Sequence, residues 1–260
     1  MGIDPRTQAQ LQQQLDALVA QQRDLVQRLE QGQGHFKKLA RSVWRVQEEE
    51  RRRLARELHD GIGQNLTAIV RMLDLVLHAL PADANPHAMV AQTRALAEST
   101  LSDTRALSRQ LRPQILDDLG LLAALRWLAR TFRDNHGLEV GLALVEPLPP
   151  LSDDAETLIF RVAQEGLTNV VRHANAAEAQ LVLQAEQDRV LLRLCDSGSG
   201  CDTSAALAAG SEGRSSGLGG MRDRVQLFGG QLRVDSRPGA GFAIEIVFPF
   251  ASKAGTLPLA

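Results

Sequence analysis

The sequence predicts a multidomain chain: an all-α coiled coil and a dimeric four-helix bundle, followed by an α+β sandwich. Three observations carry that expectation. Apolar residues keep heptad spacing from about residue 7 to residue 50. Two further helical stretches flank the break Pro81-Ala82-Asp83-Ala84-Asn85-Pro86 and end at Pro113. Beyond Pro113 the periodicity changes, and helical segments alternate with short runs rich in Val, Leu and Ile.

Each element follows from its own residues. Leu11, Leu15, Leu18, Leu25, Leu29, Phe36, Leu39, Val43 and Val46 alternate steps of three and four, skipping Gln22 and Gly32. A parallel dimeric coiled coil fits this register, and a single amphipathic helix lying on its own domain is the alternative. Leu54, Leu58, Ile62, Ile69, Leu73, Val76 and Leu80 continue one apolar stripe, and Val90, Leu96, Leu101, Leu107 and Leu111 form a second. A helical hairpin this long cannot bury both faces alone, so pairing two copies into a four-helix bundle is the natural solution.

After Pro113 the expected order is a helix over 121–132 closed by Gly137, a strand at 138–145 and a helix starting at Ser152 and reaching Ala174. Strands at 179–185 and 190–195, a Gly/Ser/Ala-rich loop, a helix at 219–228 and strands at 231–235 and 242–248 complete it. One mixed sheet with helices on one face accommodates that order.

Composition bounds the chemistry. The 260 residues carry a formal net charge of −2, so no overall field selects nucleic acid or membrane. The only cysteines are Cys195 and Cys201, a weak basis for a disulfide framework, and they read as reduced thiols. No run of about 18 apolar residues marks a membrane span, and no secretory signal is present. Met1-Gly2-Ile3-Asp4-Pro5 reads as a vector-derived scar.

Four patches bear on function. In Glu57-Leu58-His59-Asp60-Gly61-Ile62-Gly63-Gln64 a histidine is followed at once by a carboxylate. At about 100° per residue, His59 falls on the flank of the apolar stripe, with Asp60 and Gln64 on the far side. Glycines at 61 and 63 strip side chains from beside the imidazole, and Arg52 and Arg56 lie on its flank, where they could meet phosphate or an acidic partner. Neutral imidazole is a good nucleophile near neutral pH, and a neighbouring carboxylate can fix its tautomer and take its proton. Alone, the segment also fits an ordinary surface histidine.

Glu165, Asn169 and His173 share a helical stripe that is apolar toward its N-terminal end, as the wall of a pocket would be; a solvated face is the plain alternative. Glu and Asn supply the oxygen ligands that Mg²⁺ takes alongside phosphate and water. Asp196-Ser197-Gly198-Ser199-Gly200 sets a carboxylate at a strand end, able to accept from an amine such as that of adenine, with glycines that let backbone approach a base; an ordinary turn would look the same. Gly217-Leu218-Gly219-Gly220 opens a helix and offers amides to phosphate. It is neither a Walker loop nor a Rossmann fingerprint.

In combination these patches resemble the ATP-binding domain shared by sensor histidine kinases, DNA gyrase, mismatch-repair ATPases and a heat-shock chaperone. The run from Glu49 to Gln64 is similar to the phosphoacceptor helix of the nitrate-sensor-like bacterial histidine kinases, and Leu111-Arg112-Pro113 with Leu116-Asp117-Asp118-Leu119-Gly120-Leu121 resembles that subfamily's junction. The resemblance spans about residues 48–249. With the heptad and composition readings, the expected division is a vector-derived scar (1–6), a coiled-coil signalling helix (7–50), a dimerisation and phosphotransfer hairpin (51–115), an ATP-binding domain (116–250) and a flexible tail (251–260).

It implies roles as well. His59 is the phosphoacceptor and Asp60 its proton acceptor, while Gln64 orients a water for dephosphorylating the partner. Asn169 holds Mg²⁺ on ATP with Glu165 beside the metal, Arg172 and His173 join the nucleotide site, and Asp196, Gly198 and Gly200 receive adenine. Gly217, Leu218, Gly219 and Gly220 receive the phosphates. The implied partners are a second copy of the chain and a response regulator with a receiver domain, with no direct nucleic acid. The implied setting is a cytoplasmic fragment, membrane-attached only through an upstream segment. Ser197 departs from the acidic or amide residue common at its position, and the lid between Gly200 and Gly217 lacks an apolar anchor. A nucleotide-binding dimeric scaffold without kinase activity is the alternative from another class.

Overall fold

The computed structural model describes residues 5–81, 85–186, 188–203 and 217–249. Most of the expected scar, the tip of the hairpin loop, most of the lid and the expected tail lie outside the described residues. The chain separates into two compact units, the first ending at Val46 and the second beginning at Gln47.

Helix α1 spans Pro5–Arg56. The described seam residues Leu25, Leu29, Phe36, Leu39, Val43 and Val46 are all more than half exposed in the single chain. A heptad seam left open to water is what a coiled coil presents before its partner is added.

In the second unit the helix continues through a π turn, π1 (Glu57–Gly63), into α2 (Gln64–Ala79). The sequence gives a reason for the extra-wide turn. Leu54, Leu58, Ile62 and Leu66 step by four three times running, and each step overshoots a full α-turn by about 40°. A π turn accommodates one more residue per turn and returns the stripe to phase.

Helix α3 (Asn85–Leu111) folds back on α2. Arg94 meets Asp74 at 2.6 Å. Near its far end, the Ser108 hydroxyl donates to the Ala55 carbonyl at 2.8 Å. On α2, Ile62, Ile69 and Val76 repeat at seven and stay between 44% and 48% exposed, so the hairpin keeps an open apolar seam of its own.

Helix α4 (Gln114–His136) is two pieces meeting at Gly120, whose φ of 77° only glycine adopts readily. The sequence reading found the second piece and its Gly137 terminator, and placed no helix over the first. Leu121, Ala124, Leu125 and Leu128 are its buried stripe. Strand β1 (Glu139–Leu144) follows, then α5 (Asp153–Asn169), capped by Ser152, whose Oγ accepts from the Ala155 amide at 3.3 Å. A second π turn, π2 (Val170–Ala174), extends α5 and stops at Asn175 in the left-handed region. Strands β2 (Glu178–Glu186) and β3 (Arg189–Asp196), helix α6 (Leu218–Leu227), and strands β4 (Gln231–Ser236) and β5 (Phe242–Pro249) complete the unit.

The sheet order is β1-β2-β3-β5-β4, with β1 parallel to β2 and the other pairs antiparallel. Alternate residues of one face, Leu181, Leu183, Leu192, Leu194, Ile244, Ile246 and Phe248, are fully buried, as are Leu158, Ile159, Phe160 and Leu167 of α5. Helices thus cover one face, the expected α+β layer. At Gly166 an added Cβ would lie 2.5 Å from Leu194 Cδ2, so α5 approaches the sheet as closely as backbone allows.

Where the hairpin meets this layer sits a cluster of charges. Arg161 of α5 donates to Glu48 of α1 through Nη2 (2.7 Å) and Nε (3.1 Å), and to the Leu111 carbonyl at 2.6 Å. Arg112 donates to Asp117 at 2.8 and 3.1 Å, reaches Thr157, and lies 3.7 Å from Glu48. Arg52 approaches Asp117 at 2.8 Å. Glu48, Arg112 and Thr157 are all buried. Burial pushes the Arg161 guanidinium down, and Glu48 pulls it back up.

The two open seams predict a dimer. Light scattering at micromolar concentration should return twice the chain mass. Replacing both Phe36 and Val43 by Glu should weaken dimerisation by at least about tenfold, since charge then faces charge across the seam. A wild-type monomer would contradict this reading.

Candidate functional site

Two sites take shape in the second unit. The first surrounds His59 in π1. Its side chain is 53% exposed, and Nδ1 lies 2.9 Å from Asp60 Oδ1. With a carboxylate on Nδ1, that nitrogen carries the proton and Nε2 keeps its lone pair toward solvent. Nothing stands within 4 Å of where a Cβ on Gly61 would be, so the helix surface two residues on from His59 is bare.

A cavity of about 450 Å³ adjoins His59, lined by Gly63, Gln64, Thr67, Ala68, Arg71, Met72, Leu75 and Arg105. A straight helix would put Gln64 opposite His59; the π turn brings both to one cavity, because residues five apart stack in such a turn. The nearby cations also differ from expectation. Arg52 is engaged with Asp117 and Arg56 reaches Glu49, whereas Arg71 and Arg105 line the cavity. Arg105 comes from α3, so periodicity within the histidine helix gave no signal for it.

The second site is a cavity of about 400 Å³ at one end of the layer, lined by Asn169, Val170, His173, Ala174, Asp196, Gly200, Cys201, Gly217, Leu218 and Phe242. Asn169 ends α5 and His173 lies in π2. Asp196 is the last residue of β3, and its Oδ1 accepts from the Gly198 amide at 2.8 Å. Burial pushes the Asp196 carboxyl above the ordinary range, with the Gly198 amide opposing. Gly217 precedes α6 with no side-chain cap, and Gly217 and Leu218 at the start of that helix line the cavity.

Phe242 and Val170 were not among the sequence-predicted residues. Phe242 pairs directly with Asp196 across β3 and β5, and sets an aromatic wall beside the carboxylate. Its signal was the alternation Phe242, Ile244, Ile246, Phe248, which continues the buried face of β5 to its mouth.

Gly198 and Gly200 have a role other than the one expected. A Cβ on Gly198 would collide with the Ala174 carbonyl, and one on Gly200 with the Arg237 carbonyl. These glycines let the loop cross neighbouring backbone, held by Ser199 N–H to Ala174 at 2.8 Å and Gly241 N–H to Gly198 at 3.1 Å. Of the two, only Gly200 lines the cavity.

Glu165 and Arg172 stand apart from the nucleotide-sized cavity. Both line a separate cleft between hairpin and layer, together with Arg51, Arg109, Trp127, His136 and Arg161. Glu165 there acts electrostatically on Arg224 of α6. Gly219 is buried within α6, and Gly220 does not line the cavity.

A hard divalent cation fits the donor set at Asn169. Mg²⁺ bound with a nucleotide takes few protein ligands and fills its shell from phosphates and water, so one amide oxygen facing the cavity suffices. Glu165, a turn earlier, does not line this cavity. Among the described residues, no group of His, Cys, Asp and Glu is arranged to hold a metal by itself. Nor is any helix among them long and apolar enough to cross a membrane. Both cysteines are free.

Comparison with known proteins agrees with this division. Residues 50–116 match the family described as histidine kinase, and residues 154–252 match that described as histidine kinase-, DNA gyrase B- and HSP90-like ATPase. The chain is 37% identical over 216 residues to the sensor histidine kinase MctS of Rhizobium johnstonii, covering 82% of this chain and 46% of that protein. It is 35% identical to the signal transduction histidine-protein kinase/phosphatase UhpB of Salmonella typhimurium (89% and 45% covered). It is 30% identical to the oxygen sensor histidine kinase NreB of Staphylococcus carnosus (82% and 60% covered). The chain therefore spans about half the length of these curated relatives. With a phosphoacceptor-type helical hairpin and a gyrase-type ATPase layer in one chain, it belongs to the sensor histidine kinases.

Proposed function

We propose that the chain is the signalling core of its protein: it transfers the γ-phosphoryl group of ATP to His59, passes it to an aspartate of a response regulator, and removes it from that regulator. The observation that carries this reading is the His59–Asp60 hydrogen bond, which engages Nδ1 and leaves Nε2 open on the same chain as the Asn169–Asp196 cavity. We assign residues 7–50 to a signalling coiled coil, 51–115 to dimerisation and phosphotransfer, and 116–250 to ATP binding.

In this reading Asp196 accepts from the adenine amine while Phe242 and Val170 flank the ring. The first amides of α6, with Gly217 and Leu218, meet the phosphates. Asn169 holds Mg²⁺, which neutralises phosphate charge when bound. His173 lies at the same mouth.

In transfer, Nε2 of His59 forms a bond to the γ-phosphorus as the bond to the β,γ-bridging oxygen breaks and ADP leaves. The Nδ1 proton is held by Asp60, which offsets the charge left on the ring. Arg71 and Arg105 line the cavity beside His59 and are placed to attract a phosphorylated or acidic surface. A scaffold without transfer has no use for the Asp60 contact.

His59→Gln should abolish acid-labile labelling from γ-labelled ATP while leaving ATP affinity within about twofold, because no residue lining the nucleotide cavity comes from the hairpin. Acid-labile phosphate persisting in this variant would remove His59 from its role.

Asp196 sets a pH dependence. Burial pushes its carboxyl above the ordinary range, and the ionised form is the stronger acceptor for the adenine amine. ATP affinity should be full above that raised pKa and decline as pH falls through it, at higher pH than an unperturbed Asp would give. Calorimetry from about pH 8 to pH 4 should show this step, and Asp196→Asn should lack it. A wild-type pH profile that superimposes on that of Asp196→Asn would exclude the adenine contact.

Gln64 is uncharged and cannot act as a base. It shares the His59 cavity, so its amide can orient water toward a docked acyl phosphate. Gln64→Ala should keep most autokinase activity and lose at least about tenfold in phosphatase activity. Equal loss of both would reduce Gln64 to a helix position.

A further inference from the structure

We propose that Glu48 and Arg161 are positioning residues whose buried ion pair holds the ATP-binding layer in a parked arrangement and so restrains transfer to His59. The proposal rests on the kinase reading above. The pair closes a loop of 113 residues, from the helix preceding His59 to the helix carrying Asn169. Its geometry is restrictive. Two nitrogens of Arg161 share one oxygen of Glu48, and the same guanidinium also donates to the Leu111 carbonyl, so α5 is tied to both arms of the hairpin at once. Arg112 lies 3.7 Å from the same Glu48 oxygen and joins the group to α4 through Asp117. Side-chain exposure is 9% for Glu48 and 11% for Arg161, so water screens the pair little.

The arrangement held this way is not one that transfers within the chain. Nucleophile and phosphorus must approach to about 3–3.5 Å. Yet the His59 cavity is lined only by hairpin residues and the nucleotide cavity only by residues of the layer. A separate cleft of about 400 Å³, lined from both hairpin and layer and by Arg161 and Glu165, leaves open space beside the pair where the layer can shift once the pair opens. Opening the pair leaves the nucleotide cavity intact, because neither residue lines it.

The test uses the full chain and two variants. Glu48→Gln keeps shape and removes charge; Arg161→Lys keeps charge and removes the fork that bonds Glu48 and Leu111 together. Both should raise the initial rate of His59 phosphorylation, Glu48→Gln by about fivefold, which is ~1 kcal/mol of population shift at about 1.4 kcal/mol per decade. Affinity for ATP should not change, and hydrogen exchange should quicken at 111–117 and 157–164. Faster exchange with an unchanged or lower phosphorylation rate would overturn the proposal, because the cluster would then only hold the fold together. Unchanged exchange would overturn it whatever the kinase does. If wild type shows no phosphorylation while the variants exchange faster, the kinase reading fails and the holding role of the pair stands. Should Glu48→Gln lose its far-ultraviolet helical signal, Arg161→Lys decides by the same two readouts.

Discussion

The close packing of α5 on the sheet is the constraint from which the rest follows. Gly166 lets the helix settle against Leu194, and Leu158, Ile159, Phe160 and Leu167 are buried with no exposure left. Deleting any one of the large side chains would cost about 2–5 kcal/mol, so the helix has essentially one resting place. That placement delivers Asn169 and His173 to the mouth of the sheet and turns Arg161 and Glu165 toward the hairpin. One rigid element therefore serves binding on one side and docking on the other.

The two sites use opposite environments. The nucleotide cavity is recessed, with an apolar wall at Phe242 and a carboxylate whose ionisation burial opposes. His59 stands in the open on a helix surface, oriented by one neighbouring carboxylate. In the proposed function a buried imidazole would be protected from water but closed to the two large partners it must meet in turn, an ATP-binding layer and a regulator. Exposure is the condition for serving both.

Much of this was legible in the sequence. The alternation in β2, β3 and β5, the Ser152 cap and the Gly137 terminator gave the layer to within a residue or two at most ends. Asn169, His173, Asp196, Gly200, Gly217 and Leu218 do meet in one cavity. What periodicity could not give was anything that depends on the phase of a non-α turn or on a second element. Gln64 is exposed, as expected, but it shares a cavity with His59 because the helix takes a π turn through Gly61 and Gly63. Arg105 and Phe242 reach their sites from other elements. Glu165 shares a stripe with Asn169 in the sequence, yet one turn of helix is enough to place it on the cleft rather than the cavity. The glycines after Asp196 also make room for carbonyl oxygens of the protein itself, a packing demand that the motif does not show.

The π turn around His59 has a mechanical consequence. A turn that holds one residue too many is a stored phase error: tightening it to α geometry would rotate everything from Gln64 to Leu80 against Leu54 by about 100° while changing the number of backbone hydrogen bonds hardly at all. His59 thus sits on a vernier. Torque arriving along the helix can be taken up locally as a change of winding, and that change alters which side chains flank the imidazole before any other part of the hairpin has to move.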